Sequence, residues 1–435
     1  MATAAVWVSV ALLILPAQSE SQRRLILPDV RPYIKDKTDR PRFIAENEKL
    51  PITGFSPANY GKLDEQFCQV LKKYDIPGGA LTIANNGKII MSRGYGWADV
   101  HKRVAVQPDS LFRIASISKS LTAVAIAKLV EANKLQMTDS AFSLLRYPWP
   151  NHTRRDPKIL DIKIVDLLQC TAGWNRDLSG DPLFTPYIRE AAEQFTPTLR
   201  PDPDSIIRYW LDRELDSVPG THFAYSNLCY TTLGRVIQKV SGRPYEEYVK
   251  SEVLAPMGIS SMQVGRTLEL APHEVIHYPF AGQEQGPSVF PNFKGSVPLN
   301  YGGNFSLEAM CADTGWLASA PDLVRFMSTL FGEGEKRSPI SADSFAELLK
   351  WPDVPEWRNP KTKVFFAKGF QVVPTQPGLP RVIYREGCLP GSVSVVMHRD
   401  DGVSWCFLLN SRPRDFRRCQ LEIAKLIWAT VNEPK

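Results

Sequence analysis

Apolar residues recur along this chain in two rhythms, and the changes between them mark out its elements. From Ser56 a helical stripe is expected, with Leu63, Phe67, Val70 and Leu71 on one face. Gly78 to Ile90 (GGALTIANNGKII) reads as two strand-like runs around Asn85-Asn86-Gly87, the composition of a tight hairpin turn. Ser116 to Asn133 is the strongest helical segment, with Leu121, Val124, Ala125, Ala127, Lys128 and Leu129 keeping a mostly apolar face. The middle of the chain, from about residue 135 to 310, is loop-rich and helical, with many Pro and Trp. Within it Leu228 to Val240 is amphipathic and ends at Ser241-Gly242. From about residue 365 the strand rhythm returns at Gly369–Val373, Arg381–Tyr384, Ser392–His398 and Val403–Leu409, which predicts an antiparallel meander. A last helix is expected from Pro413 to about Thr430. Strands and a helix at both ends, with helices between, imply an α+β fold. Its antiparallel sheet is flanked by N- and C-terminal helices and carries a large helical insert.

The first nineteen residues stand apart. Ala4 to Pro16 (AAVWVSVALLILP) carries no charge and is followed by the small residues of Ala17-Gln18-Ser19. The run is shorter than the roughly 20 residues a bilayer span needs, and it predicts a cleaved secretory signal over 1–19, with an uncleaved anchor as the lesser alternative. Residues 20–55, rich in Pro, Arg and Asp, read as an extended arm. Residues 56–430 then form a single domain, with an α/β part from 56–115 and 312–430 and a helical part from 116–311. No later segment suits stable membrane insertion.

Composition narrows the picture only a little. At 43% hydrophobic and 23% charged, the 435 residues are those of an ordinary globular protein. The formal charge of +6 is spread along the chain, which argues against a nucleic-acid surface. The cysteines are Cys68, Cys170, Cys229, Cys311, Cys388, Cys406 and Cys419; none forms a C-x-x-C, and an odd count leaves at least one unpaired in an oxidising compartment. Two sequons, Asn151-His152-Thr153 and Asn304-Phe305-Ser306, suit a glycoprotein on a secretory route.

Two short stretches carry the chemistry. In I-A-S-I-S-K-S-L, Ser116 and Lys119 lie three apart, so on a helix both face one cleft. A serine hydroxyl becomes a nucleophile when a neighbour takes its proton, and a lysine can do so where desolvation or positive neighbours favour its neutral form. The same serine could instead be a helix cap beside a solvated lysine; Ser118 and Ser120 are expected on the helix surface. The second stretch is Pro219-Gly220-Thr221-His222-Phe223-Ala224-Tyr225-Ser226-Asn227. Tyr225 and Asn227, two apart, would place a phenol and a carboxamide on one side of an extended turn. A phenolate can serve as base, and the amide can orient a lysine or a substrate.

Together these stretches resemble the serine β-lactamase and penicillin-binding-protein family. The nearest branch looks like the class C β-lactamase-related proteins, which include esterases, D-amino-acid peptidases and mitochondrial animal members. Gly78-Gly79-Ala80 with Gly94-Tyr95-Gly96 is similar to the family's first hairpin, and Phe112-Arg113-Ile114-Ala115 to the lead into its nucleophile. Leu167-Leu168-Gln169-Cys170-Thr171-Ala172-Gly173 resembles L-L-x-H-T-S-G, with Gln169-Cys170 where Thr-His is usual. Gly315-Trp316-Leu317-Ala318-Ser319-Ala320 resembles a later G-G-L-x-S-T. The third family motif, K-T-G or H-x-G, is replaced by Arg385-Glu386-Gly387; Lys361-Thr362-Lys363 lacks the glycine. Arg385 keeps a cation that could bind a substrate carboxylate or favour a phenolate, yet it does not deprotonate. Glu386 would cancel that charge only if both side chains shared a strand face.

The resemblance implies a secreted serine hydrolase that works through an acyl-enzyme on an ester or amide, with a small-molecule or peptide substrate and no cofactor. Ser116, Lys119, Tyr225 and Asn227 would be its catalytic set. Arg385, Gly387 and Cys388 would bind substrate, the Cys388 and Ser116 backbone N–H groups forming the oxyanion hole. The resemblance also places Cys68 and Cys419 on one sheet face, where they could bridge. The alternative function is a secreted binding or scaffold protein that kept the fold and lost turnover. A separate motif, His273-Glu274-Val275-Ile276-His277, has zincin spacing. Pro272 and Pro279 leave it barely two turns of helix, so a surface loop and no metal are expected.

Overall fold

The computed structural model describes residues 34–35, 41–148, 156–280, 285–352, 354 and 364–432. The expected signal over 1–19, most of the arm, the Asn151 sequon and Lys361-Thr362-Lys363 lie outside them.

Along the chain run β1 (Ile52–Phe55), α1 (Gly61–Lys73), β2 (Gly78–Asn85), β3 (Lys88–Asp99), α2 (Ser118–Glu131), α3 (Asn227–Ser241) and α4 (Ala320–Leu330). They are followed by β4 (Phe365–Phe366), β5 (Gln371–Val373), β6 (Val382–Leu389), β7 (Ser392–Arg399), β8 (Val403–Leu409) and α5 (Phe416–Asn432). The strands form one antiparallel sheet in the order β4-β5-β6-β7-β8-β2-β3-β1, with Val104–Ala105 added to β3. The expected hairpin is β2–β3. Asn86 and Gly87 both take positive φ (49° and 74°), the two-residue turn that matches strand twist. The meander is β5 to β8, and β8 pairs with β2 from Leu409↔Gly79 to Val403↔Asn85. That pairing brings the two ends of the fold together and leaves the helical stretch between them to cover one face.

Strand alternation builds two cores. Leu81, Ile83, Trp405, Phe407 and Leu409 face α1 and α5, where Leu63, Phe67, Val70, Ile423 and Ile427 meet them. Ala80, Ala84, Val396, Cys406 and Leu408 face the other way, toward α2, α3 and α4. Phe67 stacks on Tyr95 of β3 with ring centroids 4.4 Å apart, fastening α1 to the sheet.

Three expectations are corrected. The segment from Ser116 does not begin as an α-helix: Ala115–Ile117 is a 3-10 turn and α2 starts at Ser118. Ser118 through Ala127 and Leu129 are all buried, so α2 has no wet face over most of its length. Ser118 and Ser120 are therefore not surface residues. Ser118 Oγ donates to the Ala115 carbonyl (2.7 Å), and Ser120 Oγ donates to the Gly369 carbonyl (2.8 Å). All seven cysteines are free thiols, so no Cys68–Cys419 bridge is formed although α1 and α5 pack together. Burial raises the Cys68 thiol to about 11 and the Cys419 thiol to about 12, keeping both protonated at neutral pH.

Phe67→Ala removes a fully buried ring between α1 and the sheet, and urea unfolding is expected to show a loss of about 3–5 kcal/mol. A change within experimental error would mean that α1 is not part of the cooperative core.

Candidate active site

The turn that carries Ser116 is held from two sides. Ile114 N–H donates to the Trp316 carbonyl (3.0 Å), tying the lead-in to strand Trp316–Ala318. On the other side Ser394 Oγ donates to the Ile114 carbonyl (2.7 Å) from β7. Between them β6 passes so closely that a side chain at Gly387 has no room. A Cβ there would stand 2.2 Å from the Ile114 oxygen, 2.4 Å from Ser394 Oγ and 3.0 Å from the Ala115 Cβ. Ala115 itself sits at φ 48°, an uncommon conformation for a residue with a side chain. Ser116 thus stands on a tight turn at the start of α2 and lines a cleft of about 720 Å³.

Two of the expected residues reach its hydroxyl, and a third holds one of them in place. Ser116 Oγ lies 2.8 Å from Tyr225 Oη, and Lys119 Nζ donates to Ser116 Oγ at 3.2 Å. Lys119 is fully buried and spends its other hydrogens on Asn227 Oδ1 (2.7 Å) and the Asp313 carbonyl (2.9 Å). Asn227 opens α3, and its Nδ2 donates to Asp181 Oδ2 (2.7 Å). A carboxylate can only accept, so Asp181 fixes the flip of the amide and turns the Asn227 oxygen toward Lys119.

Arg385 completes the cluster and does not pair with its neighbour. On β6 it points inward and is 2% exposed, while Glu386 is exposed on the opposite face. Its Nη2 donates to Tyr225 Oη (3.1 Å) and its Nε to the Ser116 carbonyl (3.0 Å). The Arg176 guanidinium lies 4.6 Å from the Tyr225 ring centre, and Lys119 Nζ lies 5.2 Å from it. Three cations therefore lie around one phenol. Gly387 and Cys388 line the cleft next to Ser116, with Phe184, Phe223, Phe366, Tyr384 and Phe416 as its aromatic walls and Arg412 and Arg417 at one end.

The altered Gln169-Cys170 stretch supports the second motif from behind. Cys170, at the left-handed end of helix Ile164–Gln169, accepts the Ala224 N–H on its carbonyl (3.0 Å), and its thiol donates to the Ser226 carbonyl (3.8 Å). It is buried and shapes the Tyr225 turn without reaching the cleft. Asn304, of the second sequon, also lines the cleft and accepts the Thr185 hydroxyl (3.0 Å), so this sequon belongs to the cleft wall.

Asp181, Asp313 and Arg176 were not legible as site residues. Asp313 is fully buried and Asp181 half-buried, and burial raises both carboxyls, Asp313 to about 7. Asp313 is partly held down by Lys119 and by the Thr314 hydroxyl. No local pattern marks either acid; both reach Lys119 only through long-range folding.

The zincin-like stretch is not a helix. His273 is exposed in a turn at φ 65°, while Glu274 receives Arg113 Nε at 3.1 Å and the Ala271 N–H at 3.0 Å. His277 is fully buried, with Nδ1 3.0 Å from the Gly391 carbonyl and Nε2 accepting the Arg113 N–H at 3.4 Å. Burial and the Arg113 cation hold this imidazole well below its ordinary value, so it is neutral. Glu274 to His277 form a brace beneath the segment leading to Ser116. Among the described residues no group of three His, Cys, Asp or Glu side chains is placed to hold a metal, and no helix is long and apolar enough to cross a membrane.

A family model described as Beta-lactamase matches residues 63–427. The chain is 29% identical to Protein flp of Staphylococcus aureus (strain N315) over 212 residues, which are 49% of this chain and 40% of that protein. The chain thus spans less than half the length of that relative. Two solved structures share the fold. The penicillin-binding protein homologue from Pyrococcus abyssi has a TM-score of 0.65 at 22% identity, covering 85% of this chain and 77% of that one. The D-amino acid amidase from Ochrobactrum anthropi SV3, complexed with D-phenylalanine, has a TM-score of 0.61 at 18% identity, covering 86% and 100%.

Gly387→Ala forces β6 away from the Ile114–Ala115 backbone. The expected loss is roughly 1–3 kcal/mol by denaturant titration, the usual cost of overpacking, together with loss of the Arg385–Tyr225 contact in a crystal structure of the variant. An unshifted strand at unchanged stability would contradict the close approach.

Proposed function

The chain belongs to the beta-lactamase family of serine hydrolases, and from that premise we propose that it hydrolyses an ester or amide through an acyl-enzyme on Ser116. The observation that carries this reading is the Tyr225 oxygen, 2.8 Å from Ser116 Oγ and receiving a hydrogen bond from Arg385 at 3.1 Å. A phenol held this way between cations is a base in hydrogen-bond reach of the proton it must take.

In the proposed reaction Ser116 Oγ attacks the substrate carbonyl while its proton passes to Tyr225 Oη, with Lys119 sharing the Ser116 hydrogen-bond site. The backbone N–H groups of Ser116 and Cys388 receive the oxyanion; the support for this pair is the passage of β6 directly against the Ser116 turn. Tyr225 then returns the proton to the leaving alcohol or amine. A water, deprotonated by the same phenolate, attacks the acyl carbon, and Tyr225 hands that proton to Ser116 Oγ as it leaves, restoring both groups. Asn227 holds Lys119 in place and offers its amide edge to the substrate. Arg385 takes the place of the family's usual third-motif cation and does its electrostatic work on Tyr225, although it carries no proton itself.

The cleft suits a small molecule or peptide with an apolar aromatic or aliphatic part, and Arg176, Arg412 and Arg417 outnumber Glu386 among its charged lining residues. The D-amino acid amidase fold neighbour is in keeping with an amide or ester substrate of that size. The stretch 1–19 serves in this proposal as a secretory signal, delivering the hydrolase to the secretory lumen or beyond. The competing reading, a binding or scaffold protein without turnover, is decided by the same experiment.

A fluorophosphonate probe is expected to label the wild-type chain at Ser116, with no labelling of Ser116→Ala and a fall of about 10²–10⁴ in labelling rate for Tyr225→Phe. Wild type and Ser116→Ala labelling equally little would favour the scaffold reading over the hydrolase.

A further inference from the structure

Lys119 is an ammonium group with no exposure, and a buried charge of that kind needs a counter-charge. Three hydrogen bonds to neutral oxygens satisfy its donors without balancing its charge. The carboxyl nearest to it is that of Asp313, with Oδ2 at 4.0 Å from Nζ. Asp313 is itself fully buried and held in place: Thr231 Oγ1 of α3 donates to Oδ1 at 3.0 Å, and the Thr314 hydroxyl donates to Oδ2. Asp181 stands one residue further away, behind Asn227.

We propose that Asp313 is a positioning residue that governs when the base of this site becomes available. Its carboxylate draws the field of the Lys119 ammonium to itself and withholds it from the Ser116–Tyr225 pair. The proposal rests on the serine-hydrolase reading and adds to it a group that touches neither substrate nor nucleophile.

The sign follows from the charges. A negative group beside Lys119 makes any nearby proton harder to remove, whether it leaves Tyr225 or Lys119. Burial raises the Asp313 carboxyl to about 7, with Lys119 and the Thr314 and Thr231 hydroxyls opposing and Asp181 reinforcing the rise. The other titratable groups facing it are Tyr245, whose hydroxyl is shared with Thr122 and Trp316, and Cys311 on its own segment; burial holds both protonated at neutral pH. Below that titration Asp313 is neutral and the ammonium acts fully on Tyr225. Above it the carboxylate forms and restrains the base.

The test is the pH profile of fluorophosphonate labelling in the wild type and in Asp313→Asn, which matches the neutral carboxyl in shape. The two profiles are expected to coincide on the acid side and to separate above about pH 7. There the variant labels faster by up to about tenfold, the effect of one unit in the base's titration. Thr231→Val removes a donor that favours the carboxylate, so its profile is expected to leave that of Asp313→Asn at a higher pH than the wild type does. A rate ratio that is constant with pH, or an Asp313→Asn variant slower throughout, assigns the residue to packing and overturns the proposal.

A second readout does not need turnover. The tyrosinate absorbance of Tyr225, taken as the difference from Tyr225→Phe, is expected to appear at lower pH in Asp313→Asn than in the wild type. If no form labels at any pH, the hydrolase reading fails; the absorbance titration then decides the Asp313 coupling alone, and equal midpoints overturn it.

Discussion

A cation buried where water cannot reach it constrains this whole site. Lys119 lies inside α2, with no exposure, on a helix whose buried sides leave no route for its amine to solvent. Each of its hydrogens must therefore meet a protein oxygen. The three that it meets come from distant parts of the chain: Ser116 on the preceding turn, Asn227 at the start of α3 and the carbonyl of Asp313 ahead of strand Trp316–Ala318. Moving any one would leave a buried donor unmatched, at a cost of about 1–3 kcal/mol or more for a charged group. The helical stretch, the strand Trp316–Ala318 and the Ser116 turn are held in one register by that requirement.

The sheet supplies the other half of the site through a single close approach. β6 lies against Ile114 and Ala115 because Gly387 has no side chain, and that contact puts Arg385 over Tyr225. An arginine in this place does for Tyr225 what a lysine or histidine cation would do electrostatically. Its forked guanidinium adds a second bond, to the Ser116 carbonyl, so charge and position come from one side chain. Glu386, turned to the opposite face, leaves that charge intact.

How far the sequence revealed this follows from the range of each interaction. The hairpin was legible because Asn86 and Gly87 act within two residues, and α3 because its apolar period ends at Gly242 in a left-handed cap. The convergence of Ser116, Lys119, Tyr225 and Asn227 was legible as two short stretches whose order resembled a known family. The two acids were not, since Asp181 and Asp313 become neighbours of Asn227 and Lys119 only after folding. Ser118 and Ser120 were misplaced because a serine beside a charge reads as exposed, whereas both return their hydroxyls to backbone carbonyls inside the core. The His273–His277 stretch was expected as a surface loop, yet Glu274 and His277 fold inward as a brace, the acid paired with Arg113. Packing of α1 on α5 was implied by resemblance, but nearness of Cys68 and Cys419 in one layer did not make a bond.

The central claim is that Arg385, standing where a family cation usually does, leaves Ser116 able to complete a full cycle. Rapid mixing of the wild-type chain with an activated ester that releases a coloured alcohol tests it most directly. The account expects a burst of one alcohol per chain followed by continued release, both lost in Ser116→Ala. A burst with no further release would show a serine that acylates and stays trapped, and no burst would show a cleft that binds without reacting; either result contradicts the account.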